Sequence, residues 1–78
     1  MLVTLTVTRN GEPLEGAKVV LAEPFNKKFT LDATGQITGN LEEDFATVLR
    51  YVIKTDNMEA GGSIIIDVSE QTEYEIGV

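Results

Sequence analysis

The chain has 78 residues, with 13 Asp and Glu against 6 Lys and Arg, no His, Cys or Trp, and a formal net charge of −7. The length fits a single domain over 1–78. Without Cys or His there is no disulfide framework, no thiolate or imidazole nucleophile and no zinc site of the usual kind, and so acidic a chain argues against nucleic-acid binding, which needs a basic face for the phosphates.

No apolar run approaches the roughly 18 residues of a membrane span, so membrane insertion is not expected. Residues 1–7 lack the basic flank and unbroken apolar stretch of a signal peptide. A complete chain would therefore be cytoplasmic, and an excised domain could equally come from a surface or secreted protein.

Residues 2–8 alternate, with Val3, Leu5 and Val7 on one side and Thr4, Thr6 and Thr8 on the other. That is the period of a half-buried strand built from good strand formers. Arg9-Asn10-Gly11-Glu12-Pro13 breaks it, since Asn and Gly tolerate positive φ. Lys18–Ala22 reads as a second strand closed by Pro24. Phe25–Phe29 reads as a short loop leading into a strand at 29–31. Asp32-Ala33-Thr34-Gly35 is a tight turn, with Asp bonding its own backbone and Gly left-handed, and 36–38 is a short return strand.

Residues 41–54 fit two periods. Leu41, Phe45, Val48, Leu49 and Val52 suit a helix; Phe45, Thr47, Leu49, Tyr51 and Ile53 suit a strand. The β-branched and aromatic content of 47–53 costs a helix side-chain freedom. The reading adopted is a short helical turn near 41–45 followed by a strand. Asp56–Gly62 reads as a flexible loop, then Ile64, Ile66 and Val68 form one strand face. A last strand carries Tyr74, Ile76 and Val78. About seven short, mostly antiparallel strands at this spacing predict an all-β sandwich. The expected core is Val3, Leu5, Val7, Ala17, Val19, Leu21, Phe29, Leu31, Ile37, Leu41, Phe45, Leu49, Tyr51, Ile64, Ile66, Val68 and Ile76.

The stretch Asn10-Gly11-Glu12-Pro13-Leu14-Glu15-Gly16-Ala17-Lys18-Val19, followed by Thr30-Leu31-Asp32-Ala33-Thr34-Gly35-Gln36-Ile37-Thr38, resembles the carboxypeptidase-regulatory-like (prealbumin-like) domains over residues 3–41. Where that family continues with Pro-Gly-x-Tyr, this chain has Glu42-Glu43-Asp44-Phe45, with Phe45 the candidate for the aromatic place. The resemblance implies an immunoglobulin-like sandwich. It also implies a non-catalytic role, because such modules act as spacers or interaction domains beside other domains.

Three groups of polar residues stand out. In Phe25-Asn26-Lys27-Lys28-Phe29 two aromatics flank two lysines in an acidic chain, and Phe25, Asn26, Lys27 and Lys28 are a candidate contact loop for a partner protein. Residues 1–41 carry four acids and four bases, so the whole net charge arises from residues 42–78. Asp32, Asp56 and Glu59 could donate hard oxygens to a cation such as calcium, although their spacing is not that of a calcium loop. The run Glu42-Glu43-Asp44 reads as a solvated face. Ser63–Ile66 reads as a core strand, with a partner-facing edge as the alternative.

The function expected from the sequence is a non-catalytic interaction or structural module, not an enzyme, with no cofactor. Its partners would be another protein or neighbouring domains, and homo-oligomers through edge strands are a further option. A small-ligand or cation-binding module using the loop carboxylates is the alternative.

Overall fold

The computed structural model describes residues 1–78. It is all-β, with eight strands in two packed sheets: β1 (Leu2–Arg9), β2 (Glu12–Pro13), β3 (Lys18–Leu21), β4 (Lys27–Thr30), β5 (Gln36–Asn40), β6 (Ala46–Lys54), β7 (Glu59–Asp67) and β8 (Glu73–Gly77).

The first sheet is built on β1. It pairs antiparallel with β5 from Leu2↔Asn40 to Thr6↔Gln36 and, further along, with β2 at Thr8↔Pro13 and Arg9↔Glu12. On its other edge β8 runs parallel, from Thr4↔Glu73 to Thr8↔Gly77. β2 and β5 lie end to end on one edge of β1: Val7 donates its N–H to the Gly35 carbonyl at 2.8 Å and accepts from the Leu14 N–H at 3.0 Å. The second sheet has the order β4-β3-β6-β7, antiparallel throughout.

The strand alternation read from residues 2–8 sets the burial. Val3, Leu5 and Val7 face the second sheet and, with Ala17, Val19, Leu21, Leu31, Ile37, Leu49, Ile53, Ile66, Val68 and Ile76, form one core of 13 buried residues. Phe29, Leu41, Phe45, Tyr51 and Ile64, expected inside, are half-buried and packed against that core. They lie toward its rim, where large side chains seal the gap between the sheets. Ile53, absent from the expected core, is fully buried opposite Val19.

The Asn10-Gly11 break is a two-residue hairpin, with φ of 55° and 82° as such a turn between twisted strands requires. Asp32–Gly35 is the expected turn. The Thr34 N–H donates to Asp32 Oδ1 at 2.9 Å, and the Gly35 N–H to the Asp32 carbonyl at 3.1 Å.

Three local expectations are corrected. Near 41–45 there is no helix: a single turn, closed by the Phe45 N–H on the Glu42 carbonyl at 3.1 Å, leads straight into β6. Lys27 and Lys28 belong to β4 rather than to a loop. The loop expected over 56–62 is only the turn Thr55–Met58, and Glu59 to Gly62 are strand. The Thr55 hydroxyl accepts from the Met58 N–H at 3.1 Å and tightens that turn. Gly62 stands in the strand because its neighbour Tyr51 needs the space: a Cβ there would lie 2.6 Å from the Tyr51 hydroxyl.

Candidate interaction surface

The second sheet has one face on the core and the other in solvent, so register decides which side chains meet outside. Val19, Leu21, Leu49 and Ile53 point in, and their chain neighbours point out. Across the outer face Lys28 lies beside Val20, Val20 beside Val52, and Val52 beside Gly61. The row towards the β6–β7 turn pairs Thr30 with Lys18, Lys18 with Lys54, and Lys54 with Glu59. The rows on the other side pair Arg50 with Ser63 and Val48 with Ile65. Ile65 is 74 % exposed and Val48 is 55 % exposed.

Four of the six cations (Lys18, Lys28, Arg50 and Lys54) therefore share this face, with Glu59 and Asp67 the carboxylates facing the same way. The rest of the chain keeps two cations against eleven carboxylates. The molecule is divided in charge: one positive, partly aliphatic sheet face on an otherwise acidic body. Lys18, Lys28 and Lys54 line a shallow groove of about 480 Å³ with Val20, Phe29 and Thr30. A neighbouring groove of about 390 Å³ runs from Glu15–Lys18 to Lys54–Asp56. Lys18 and Lys54 are directly opposite each other, with Glu59 next in the row across from Lys54 and with Glu15 and Asp56 lining the same groove.

The residues singled out in the sequence fall in different places. Phe25 is half-buried and packs on the core, with its ring against Gly39 of β5, where a Cβ would collide with it. Asn26 takes a φ of 48° in the bend before β4. Lys27 is opposite the buried Leu21 and Lys28 opposite the outward Val20, so the two lysines leave β4 on opposite faces. The four residues therefore do not form one patch; Lys28 alone joins the outer face. Ser63–Ile66 lies in β7, which is the free edge of its sheet, not a central strand. Its inward Ile66 is buried while Ile65 is open.

Asp32 sits in the β4–β5 turn, Asp56 in the β6–β7 turn and Glu59 at the start of β7. No three acidic side chains are gathered in a way that could hold a metal ion. The Asp32 carboxylate is held below its ordinary titration range, first by the hydrogen bond from the Thr34 hydroxyl and then by the Thr34 N–H. The outer-face cluster was missed in the sequence because its members come from three strands. The signal available was the outward phase of each: Lys18 and Val20 alternate with Val19, and Val48, Arg50, Val52 and Lys54 alternate with Leu49, Tyr51 and Ile53.

No protein-family model matches the chain, and no curated protein matches it in sequence. No helix is long and apolar enough to cross a membrane.

Proposed function

We propose that this chain is a non-catalytic β-sandwich module that binds another protein through the outer face of the β4-β3-β6-β7 sheet. The observation that carries the reading is the concentration of Lys18, Lys28, Arg50 and Lys54 among Val20, Val48, Val52 and Ile65 on one open face of a chain with net charge −7. Such a face suits a partner whose surface is acidic with an apolar centre: the charges steer and orient it, and the aliphatic side chains hold it. The resemblance of residues 3–41 to the prealbumin-like domains supports the same reading, since those modules work beside other domains.

The test is a pull-down from the source organism with wild type, a Lys18→Glu/Lys28→Glu/Lys54→Glu variant, and an Arg9→Glu/Lys27→Glu variant that alters charge away from the face. Circular dichroism confirms that each bait is folded. A partner retained by wild type and by the Arg9/Lys27 variant, but lost from the triple variant, supports the reading. Equal retention by all three baits refutes it. Retention should also weaken between about 0.01 and 0.15 M salt, as the screening length falls from about 30 to about 8 Å.

A further inference from the structure

We infer that β7 is a strand-addition site for an extended segment of another protein, one that carries a large apolar residue, an acidic residue and an aliphatic residue at alternate positions. The inference rests on the outer-face reading and names the partner's form.

The hydrogen-bond phase of β7 is fixed at both ends. Thr55 donates to the Met58 carbonyl at 2.9 Å, and Val68 to the Phe45 carbonyl at 2.9 Å. Bonded pairs repeat every second residue in an antiparallel ladder. Residues 60, 62, 64 and 66 therefore spend their backbone groups on β6, while Gly61, Ser63 and Ile65 turn both N–H and C=O outward. All three are exposed. The row stops at Asp67, whose N–H is taken by the Tyr74 hydroxyl at 2.8 Å.

Exposed edges are usually blunted by charge or brevity. β4 is four residues long and carries Lys27 and Lys28; β8 carries Glu73 and Glu75. β7 is nine residues long, and from Ala60 to Ile66 it carries no charge at all. β5, the remaining long edge, is uncharged too, but it is five residues long and has the Phe25 ring against its Gly39, so β7 is the longest uncharged open edge in the molecule.

The side chains beside the edge define what would fit. A new strand continues the outer-face rows by one place. Opposite Gly61 a large apolar side chain can cross the missing side chain to Val52, which lies 4.0 Å from where a Gly61 Cβ would be. Opposite Ser63 a carboxylate meets Arg50 across a small residue. Opposite Ile65 an aliphatic side chain extends the Val48–Ile65 pair. A second copy of this chain fits less well. Pairing two β7 strands about Ser63 places Glu59 of each copy opposite Asp67 of the other, between molecules of charge −7 each.

The experiment uses the isotope-labelled chain and a blocked peptide with Ile, Glu and Val at alternate positions and Thr between them, followed by amide hydrogen exchange. Exchange at Gly61, Ser63 and Ile65 should slow by 1 + [L]/Kd, about tenfold at a peptide concentration about nine times Kd. Exchange at Lys28 and Thr30, on the β4 edge, should not change. Ser63→Pro removes one outward N–H at an edge position that tolerates proline, and should abolish the protection with the fold intact. A peptide with Lys in place of Glu should give none. Shifts confined to Lys18, Lys28 and Lys54 without slowed exchange at the edge would overturn strand addition and leave the outer-face reading standing. Equal protection by the Glu and Lys peptides would overturn the acidic partner. Protection that appears without peptide and grows with protein concentration would overturn it in favour of a second copy.

Discussion

Gly35→Ala is expected to be among the most damaging single-methyl changes in the molecule. Gly35 has φ +65°, and a Cβ there would lie 2.8 Å from the Val7 carbonyl oxygen, 3.1 Å from Pro13 Cβ and 3.2 Å from the Leu14 nitrogen. Those atoms cannot swing aside. The Val7 carbonyl holds the Leu14 N–H, and the Gly35 carbonyl holds the Val7 N–H, so relief of the contact loosens the junction of β1, β2 and the turn before β5. The left-handed backbone costs a non-glycine residue about 1–2 kcal/mol. Weakening one of the two hydrogen bonds adds about 1 kcal/mol, and the stiffer unfolded chain returns about 0.4–1 kcal/mol. The net loss is about 2 kcal/mol, out of the roughly 3–5 kcal/mol that a core of this size supplies. Gly16→Ala is the control. Its φ is +83°, but nothing lies within 4 Å of its Cβ position, so it carries the backbone penalty alone. In urea, at a slope of about 1 kcal/mol/M, the midpoint should fall by about 2 M for Gly35→Ala and by about half that for Gly16→Ala. Asn, which accepts left-handed φ, should largely rescue position 16 and not position 35. Equal midpoint shifts for the two alanine variants would refute the assignment of the extra loss to the Val7 contact.

Ile53→Ala should cost about 3 kcal/mol and leave the chain near its unfolding midpoint in buffer, because Ile53 is fully buried, whereas Val48→Ala on the outward side of the same strand should stay within about 0.5 kcal/mol by urea titration. Tyr74→Phe should cost about 1–2 kcal/mol by the same assay: the hydroxyl accepts from the Asp67 N–H at 2.8 Å and donates to the Gln71 carbonyl at 2.9 Å, and an unshifted midpoint would show that neither bond matters in solution. The Asp32 carboxyl should titrate below the ordinary aspartate range by NMR. A carboxyl whose folded value is lowered adds stability that is present above its unfolded value of about 3.9 and is lost as pH falls through the folded value. Thr34→Ala should therefore move the Asp32 midpoint upward, and an unmoved midpoint would remove the Thr34 hydroxyl as the cause.

Much of the fold is legible in the sequence because burial is written in period two. Val3, Leu5 and Val7 needed only alternation to be placed inside, and Asn10-Gly11 and Asp32–Gly35 only their turn chemistry. The failures share one origin. Gly61-Gly62 looks like a flexible loop from local propensity, but Gly62 is in a strand because Tyr51, eleven residues earlier, occupies the space its side chain would need. Residues 41–45 read as a short helical turn, yet a single turn suffices to carry the chain into β6 with Phe45 packed on the core. A strand's neighbours are long-range facts, and propensity does not contain them.

The candidate surface depends on register still more directly. Lys18 and Lys54 lie 36 residues apart in sequence, and they are opposed because Val19 pairs with Ile53 and both are buried. A slip of one residue between β3 and β6 would bring one of those two side chains to the solvent side of its neighbour's row, so the core enforces the pairing and the pairing gathers the cations. The same register that buries Ile53 therefore creates the positive face. A variant that alters the outward lysines can change binding while leaving the core untouched. No substitution that shifts the β3–β6 register can spare either one. That coupling is the reason the surface stays hidden in a linear reading: each lysine alone looks like an ordinary solvated charge, and only the buried partners beside them state that they stand together.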